Sequence, residues 1–376
     1  MNSTVSLRNY SMAIGLILIW LFFSFATDNF LSSRNLSLLS IELAITATLA
    51  LGMLLVLLPG YIDLSVGSGV GLIGGIATVL IFHYEWNAVA AMLTGLAVAV
   101  GLWCLMGSII TKQRVPAFII TLGGLLVFKG LFWKVIQSET VPVTAGDSAN
   151  AMSLTTTYYL PETAGFILLA IVTAFLIRGK LRERAQRAAY GFEVEPKRHS
   201  FLKVFVAFQV MLLCTLIMNQ YRGIPLSVVI LGAVAFGVFL LTRHTRFGRY
   251  LYAIGGNKEA AVLSGIPVDK VVITAYAILG GIVALSGFMQ TAYSGNSTTT
   301  IGNLMELDAI AACVIGGTSL AGGRGNVLGV LVGALIMASL LNGMTLMSVD
   351  PSDKFIARGL VLAVAVWLDV YLSRKK

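Results

Sequence analysis

The chain has 376 residues, of which 57% are hydrophobic and only 11% charged, against about 25% charged in an average soluble domain. No soluble fold of this length covers so much apolar surface, so the chain reads as a polytopic membrane protein with no separate soluble catalytic module. Its net charge of +9 is divided among short loops between apolar runs, which reports membrane orientation and excludes nucleic-acid binding as its meaning.

A membrane span needs about 20 mainly apolar residues. Such runs occupy 10–26, 41–58, 67–82, 88–110, 116–132, 164–177, 204–218, 224–241, 271–292, 327–346 and 355–372. The first is long, aromatic and not followed by a small-x-small cleavage site, so it reads as a retained span and not as a signal peptide. Glu42 sits one residue inside the second run, at an interfacial position. Between the second and third runs lies PGYIDLSVGS (59–68), where Asp63 and Ser65 precede a glycine-rich stretch. Asp63 is a candidate both for capping the next helix and for contact with a passing solute. Gly69, Gly71 and Gly74 formally match GxGxxG, but no strand precedes them and no acidic residue follows about 20 positions on. The glycines read as packing instead, with Gly67, Gly71 and Gly75 on one helix face.

Further along, Lys129 closes a half-span and reads as a snorkelling side chain. The loop 134–163 is polar and rich in Thr, Ser and Ala, and is expected to face outwards. Between 178 and 203 eight basic residues stand against Glu183, Glu193 and Glu195, which places that loop in the cytoplasm. Lys112 with Arg114, the 243–249 cluster and the tail Arg374-Lys375-Lys376 are assigned there by the same bias. Eleven runs would put the two termini on opposite sides, whereas Arg8 and the basic tail place both in the cytoplasm. Either one segment is re-entrant or half-length, or 308–320 adds a twelfth crossing; about ten full spans plus broken helices is the favoured reading, the suspects being 61–75 and 306–325, where Gly and acidic residues interrupt apolar sequence.

A polar, glycine-punctuated insert, RYLYAIGGNKEAAVLSGIPVDK (249–270), separates two of the apolar runs. Asn257 is a good N-cap for a short helix Lys258–Leu263, Glu259 suits its first turn, and Ser264-Gly265 before Pro267 ends it. In the membrane zone the polar candidates are Asp63, Ser65, Glu306, Asp308, Thr318 and Asn342. Glu306 and Asp308 suit a positive helix N-terminus, Thr318 lies in a Gly-Gly-Thr-Ser break, and Asn342 lies on an apolar face, where interhelical bonding and contact with a transported solute are both open. Trp20, Phe22, Phe23, Trp86, Trp103, Phe132 and Trp133 lie towards run ends and read as an interfacial belt.

Catalytic and metal chemistry find no foothold. Three His and three Cys are scattered, without HExxH or CxxC spacing; Cys104, Cys214 and Cys313 read as buried free thiols. The Gly179-Lys180 pair lacks the glycine and hydroxyl residue of a phosphate-binding loop, so ATP-driven work requires another subunit.

Four strings in order, PGYIDLSVGS, VPAFIITLGGL (115–125), GGNKEAAVLSGIPVDK (255–270) and ELDAIAACVIGGTSLAGGRGNVLGVLVGAL (306–335), resemble the permease subunits of bacterial monosaccharide ABC importers. Within the ribose, galactose and xylose group the likeness is nearest to xylose permeases, and it runs from about residue 29 to the C-terminus. The resemblance implies one all-α transmembrane permease domain over 1–376 with a cytoplasmic coupling loop at about 243–270. It implies Gly256, Asn257, Glu259, Ala260, Ala261, Ser264 and Gly265 as the ATPase-coupling residues. It also implies a second permease subunit, an ATPase carrying ATP and Mg²⁺, a periplasmic sugar-binding protein, and a bacterial inner-membrane location. The alternative class is an ion-coupled secondary sugar transporter, which calls for repeated halves and deep carboxylates; no half-to-half repeat is visible. A membrane-embedded enzyme would require clustered His, Glu or Asp residues, and none cluster in the sequence.

Overall fold

The computed structural model describes residues 3–144, 146 and 148–374; Lys375 and Lys376 of the basic tail lie outside them. In chain order come α1 (Ser3–Ala26), α2 (Ser33–Leu57), α3 (Val66–Phe82), α4 (Ala88–Lys112), α5 (Ala117–Val135), β1 (Val141–Pro142), α6 (Ala151–Thr157) and β2 (Tyr159–Leu160). They are followed by α7 (Glu162–Ala189), α8 (Lys197–Asn219), β3 (Ile224–Pro225), α9 (Leu226–His244), α10 (Arg246–Gly256) and α11 (Lys258–Leu263). The last elements are α12 (Val268–Ser294), β4 (Asn296–Ser297), α13 (Met305–Ile315), α14 (Val327–Leu346) and α15 (Pro351–Arg374). Every apolar run of the sequence is helical. Among the described residues eight helices are long and apolar enough to cross a membrane, and Met12–Ala26 and Val66–Phe82 are shorter apolar helices. The suspected breaks are present: α3 follows an irregular stretch at 58–65, and α13 stops after 11 residues into an irregular stretch at 316–326.

Helix α2 runs through the centre. Its apolar window is 83% buried, against 6% for α8 and 11% for α7, so α2 is apolar all round whereas the α7–α8 hairpin is peripheral. Around α2 pack α12, α14, α13 and α9, and α12 in turn packs on α4 and α3. Glycines make the close approaches possible. A Cβ at Gly71 would meet the Phe132 ring at 2.8 Å and one at Gly75 the same ring at 2.7 Å, while Gly67 abuts Glu306 and Gly302. The one-face glycine pattern thus seats an aromatic ring and the α13 entry. On the opposite edge from the α10–α11 loop, two short antiparallel ladders pair Val141 with Ser297 and Tyr159 with Pro225.

Three expectations need correction. Trp103, Phe132 and Phe23 are buried in the protein, not in an interfacial belt; Phe22, Trp86 and Trp133 are exposed as a belt requires. Of the thiols only Cys313 is buried, and Cys214 is exposed, because α8 is covered on few sides by its own chain. The basic loop is mostly helix: α7 continues to Ala189 and α8 begins at Lys197, leaving only 190–196 irregular. Ion pairs of Lys180 with Glu183 at 2.8 Å and of Arg187 with Glu183 at 3.6 Å, three and four residues apart, support those turns in water. In the link, a hydrogen bond from Lys203 holds the Glu195 carboxyl below its ordinary range.

Candidate functional site

A polar cavity of about 340 Å³ opens among the ends of α2, α12, α13, α14 and α15, a size at the lower end for small-molecule sites. Its lining includes Glu42, Gln290, Tyr293, Asn303, Asp308 and Arg358. Glu42 accepts hydrogen bonds from Tyr293 Oη at 2.9 Å and from Asn342 Nδ2 at 3.2 Å. Asn342 Oδ1 accepts from Asn35 Nδ2 at 2.9 Å, so three helices are joined by one polar chain. Across the cavity Asp308 Oδ1 lies 3.2 Å from Arg358 Nε. Both atoms are buried and neither makes a hydrogen bond, so the pair is held by charge. Carboxylates, an amide, a phenol and a guanidinium around a small wet space are the groups that hydrogen-bond hydroxyl-rich neutral solutes.

Of the six membrane-zone residues singled out from the sequence, Asp308 and Asn342 belong to this assembly. The other four do not. Asp63 and Ser65 are fully buried in a separate knot: Asp63 Oδ1 accepts from Ser65 N at 2.7 Å and Ser65 Oγ at 2.6 Å, and Oδ2 accepts from Trp103 Nε1 at 2.8 Å. Asp63 therefore fixes the turn ahead of α3 through the i to i+2 bond of an Asx turn, and has no capacity aimed at the cavity. Glu306 is buried against Gly67 and shares a small crevice with Lys129 and Ser68. Thr318 is buried in the irregular stretch after α13, its Oγ without a hydrogen-bond partner. Arg358, Tyr293, Gln290 and Asn35 were not singled out in the sequence. Arg358, an arginine two turns into an apolar helix, carried the signal that intramembrane charge is costly; the other three carried none.

The second site is the α10–α11 insert. Asn257 Oδ1 accepts from Ala260 N at 2.9 Å, and Ser264 Oγ donates to Ala260 O at 2.8 Å. Gly265 has φ +77°; its N–H bonds Val262 O at 2.9 Å and the Ile266 N–H bonds Ala261 O at 3.1 Å, the paired bonds of a Schellman end. Gly256, Asn257, Glu259, Ala260, Ser264 and Gly265 are exposed. Ala261 is not: at 3% exposure it faces its own chain, since α11 lies along α10 and α12, so it offers no surface to a partner. Instead the knob presents Val262 and Leu263, the latter 89% exposed. Beside it, Lys112, Arg114, Lys258, Asp269 and Lys270 line one open cavity of about 1020 Å³, which puts the α4–α5 turn and the knob on one face.

A glycine junction ties the knob to the membrane body. Gly323 N donates to Leu58 O at 2.8 Å, joining the end of α2 to the 316–326 stretch, and Gly255 of α10 sits on that bond. A Cβ at Gly255 would overlap Leu58 O and Gly323 N and stand 3.1 Å from the Gly322 carbonyl carbon. Tyr252 Oη adds a hydrogen bond to Gly325 O at 2.8 Å. The junction thus joins α10 to the last residues of α2 and to the stretch between α13 and α14, while Glu42, Asp308 and Asn342 lie towards the far ends of those helices.

The model of the family described as branched-chain amino acid transport system / permease component matches residues 35–366. The chain is 39% identical to the xylose transport system permease protein XylH of Escherichia coli K12, over 99% of this chain and 94% of that one. To XylH of Haemophilus influenzae it is 40% identical, over 99% and 98% of the two chains. The ribose import permease protein RbsC of Escherichia coli K12 is 32% identical over 95% and 92%. No solved structure matches.

Proposed function

This chain belongs to the branched-chain amino acid transport system / permease component family, and we propose that it is the permease subunit of an ATP-driven monosaccharide importer, with D-xylose as its first candidate cargo. The observation that carries the reading is the likeness to two xylose permeases over 99% of the chain. In this reading the α10–α11 insert lies in the cytoplasm and docks into a separate ATPase, which holds the ATP and Mg²⁺. Both termini also lie in the cytoplasm: with α13 and the stretch after it as one descending segment, the helices alternate and the chain ends fall on one side. A periplasmic binding protein delivers sugar to the opposite face, and two permease copies form the transporter.

The geometry supports a division of labour. Leu263 and Val262 are the apolar anchors for the ATPase groove; burying one such side chain is worth about 1.5–3 kcal/mol. Movement of the docked knob passes through α10 to the glycine junction, and from there to α2 and the α13–α14 pair. Those helices wall the polar cavity, so the ATPase state changes the width and bonding of the space where sugar passes. The Asp308–Arg358 pair holds charge inside the membrane without net charge, which suits a neutral polyol.

The test is labelled-sugar uptake in a strain lacking its own pentose importers, carrying this chain with the ATPase and binding protein encoded beside it. Xylose uptake is expected to exceed that of ribose and galactose. The lone subunit in liposomes is expected neither to hydrolyse ATP nor to concentrate sugar. Accumulation by the lone subunit on a proton or sodium gradient would establish the ion-coupled alternative, to which the half-buried Glu42 and the buried Asp308 would then belong.

A further inference from the structure

The α7–α8 hairpin takes no part in the cavity or the junction, and its tip is the most basic segment of the chain. Between the helices runs an open trough of about 520 Å³, walled by Ile177, Leu181, Phe201, Val204, Phe205 and Phe208. Leu181, Phe201 and Phe205 are exposed, and the Phe201 and Phe205 rings stack at 5.8 Å with 19° between their planes. The end of the trough away from the membrane centre is closed by Lys180, Arg184 and Lys197. Arg184 is fixed there by hydrogen bonds to Glu195 O and to Ser200 Oγ. The carboxylates facing this end are Glu183 and Glu195, which pair with Lys180, Arg187 and Lys203. Five cations thus surround two carboxylates, and Lys197 has no carboxylate partner among the described residues.

We infer that this trough is a binding site for one anionic phospholipid, with an acyl chain along the aromatic and aliphatic wall and the phosphate among Lys180, Arg184 and Lys197. Charge complementarity selects the occupant. A cation cluster at the water interface with a long apolar trough leading from it toward the bilayer centre matches a phosphate joined to a hydrocarbon chain, and basic pockets between spanning helices recognise such headgroups. The trough is open to the bilayer because α7 packs chiefly on α8, and α8 meets the body chiefly along α2 and β3. A neutral headgroup would leave the excess charge unmatched. The site is independent of what the permease carries.

The test is native mass spectrometry of the purified full chain offered phosphatidylglycerol and phosphatidylcholine with identical acyl chains. The wild type is expected to retain one phosphatidylglycerol at least tenfold more strongly than phosphatidylcholine. The double variant Lys180→Gln/Lys197→Gln is expected to lose that preference, since two interfacial cations are together worth roughly thirtyfold. Arg182→Gln/Arg198→Gln, which removes the same charge from outside the trough, is expected to keep it. Phe205→Ser, which spares the charges, is expected to weaken retention of both lipids. Glycerol 3-phosphate at millimolar concentration is expected not to displace the lipid; displacement would mean a site for free phosphate. Equal retention of the two lipids by the wild type overturns the proposal whatever the variants do. So does an equal loss in the two double variants, which would mean a diffuse surface charge effect.

Discussion

Gly255→Ala is a single methyl placed on the junction between the coupling insert and the membrane body. The backbone does not resist it, since Gly255 is helical and not among the residues with positive φ; alanine there gains about 1 kcal/mol of helix propensity. The cost is steric. The new Cβ overlaps Leu58 O and Gly323 N, the two ends of one 2.8 Å hydrogen bond, and both are backbone atoms that move only with their segments. Overpacking of this kind costs about 1–3 kcal/mol, and loss of the hydrogen bond adds about 0.5–1.5 kcal/mol. The net is about 2 kcal/mol against the joined arrangement, roughly a thirtyfold shift. Because Asn257, the knob and its caps are untouched, ATPase co-purification should persist while ATP-driven sugar uptake falls by an order of magnitude or more. Gly237→Ala is the matched control, for a Cβ there meets nothing within 4 Å. Both variants are assayed for ATPase retention on an affinity column and for initial uptake rates in proteoliposomes of the assembled transporter. If Gly255→Ala transports at the wild-type rate with unchanged thermal stability, the junction does not transmit movement and the route from knob to cavity is wrong.

Arg358→Gln alone should destabilise the protein by about 3–5 kcal/mol, because it leaves the Asp308 carboxylate buried without its partner, and Asp308→Asn by less, because Arg358 is only half-buried. The double variant should recover much of that in a detergent melting curve, and equal losses in single and double variants would refute the pairing. Leu263→Asp should abolish ATPase co-purification, while Gly265→Val should weaken it at a conformational cost of about 1–2 kcal/mol: φ is +77° and the space around it is open. Ala260→Trp is expected to block docking, whereas Ala261→Trp should instead disturb folding, since Ala261 faces α10 and α12. Reporter fusions at Ala188 and Asn257 should read cytoplasmic and one at Glu139 periplasmic; a periplasmic signal at Asn257 would exclude contact with an ATPase.

Much of this protein is written locally. Spans follow from apolar runs, because lipid forces each segment to satisfy its own backbone hydrogen bonds as helix. The knob follows from Asn257, Ser264 and Gly265, because caps close bonds within three to five residues. The breaks at 58–65 and 316–326 follow from glycines and acids that lipid-facing helix does not accommodate. Local reading fails where a residue's meaning lies in its neighbour. Trp103 at a span end resembles a belt residue until Asp63, 40 positions earlier, takes its indole N–H. Ala261 and Ala260 are equivalent in sequence, yet the packing of α11 on α10 and α12 turns one inward and leaves the other in water. The cavity is the extreme case: Glu42 meets Tyr293 and Asn342 across 251 and 300 positions, and Asp308 meets Arg358 on another helix. None of these side chains finds its partner nearby in the sequence. Only the packing of α12, α13 and α14 around α2, and of α15 on α13, brings their charges and hydrogen-bonding groups within reach of one another.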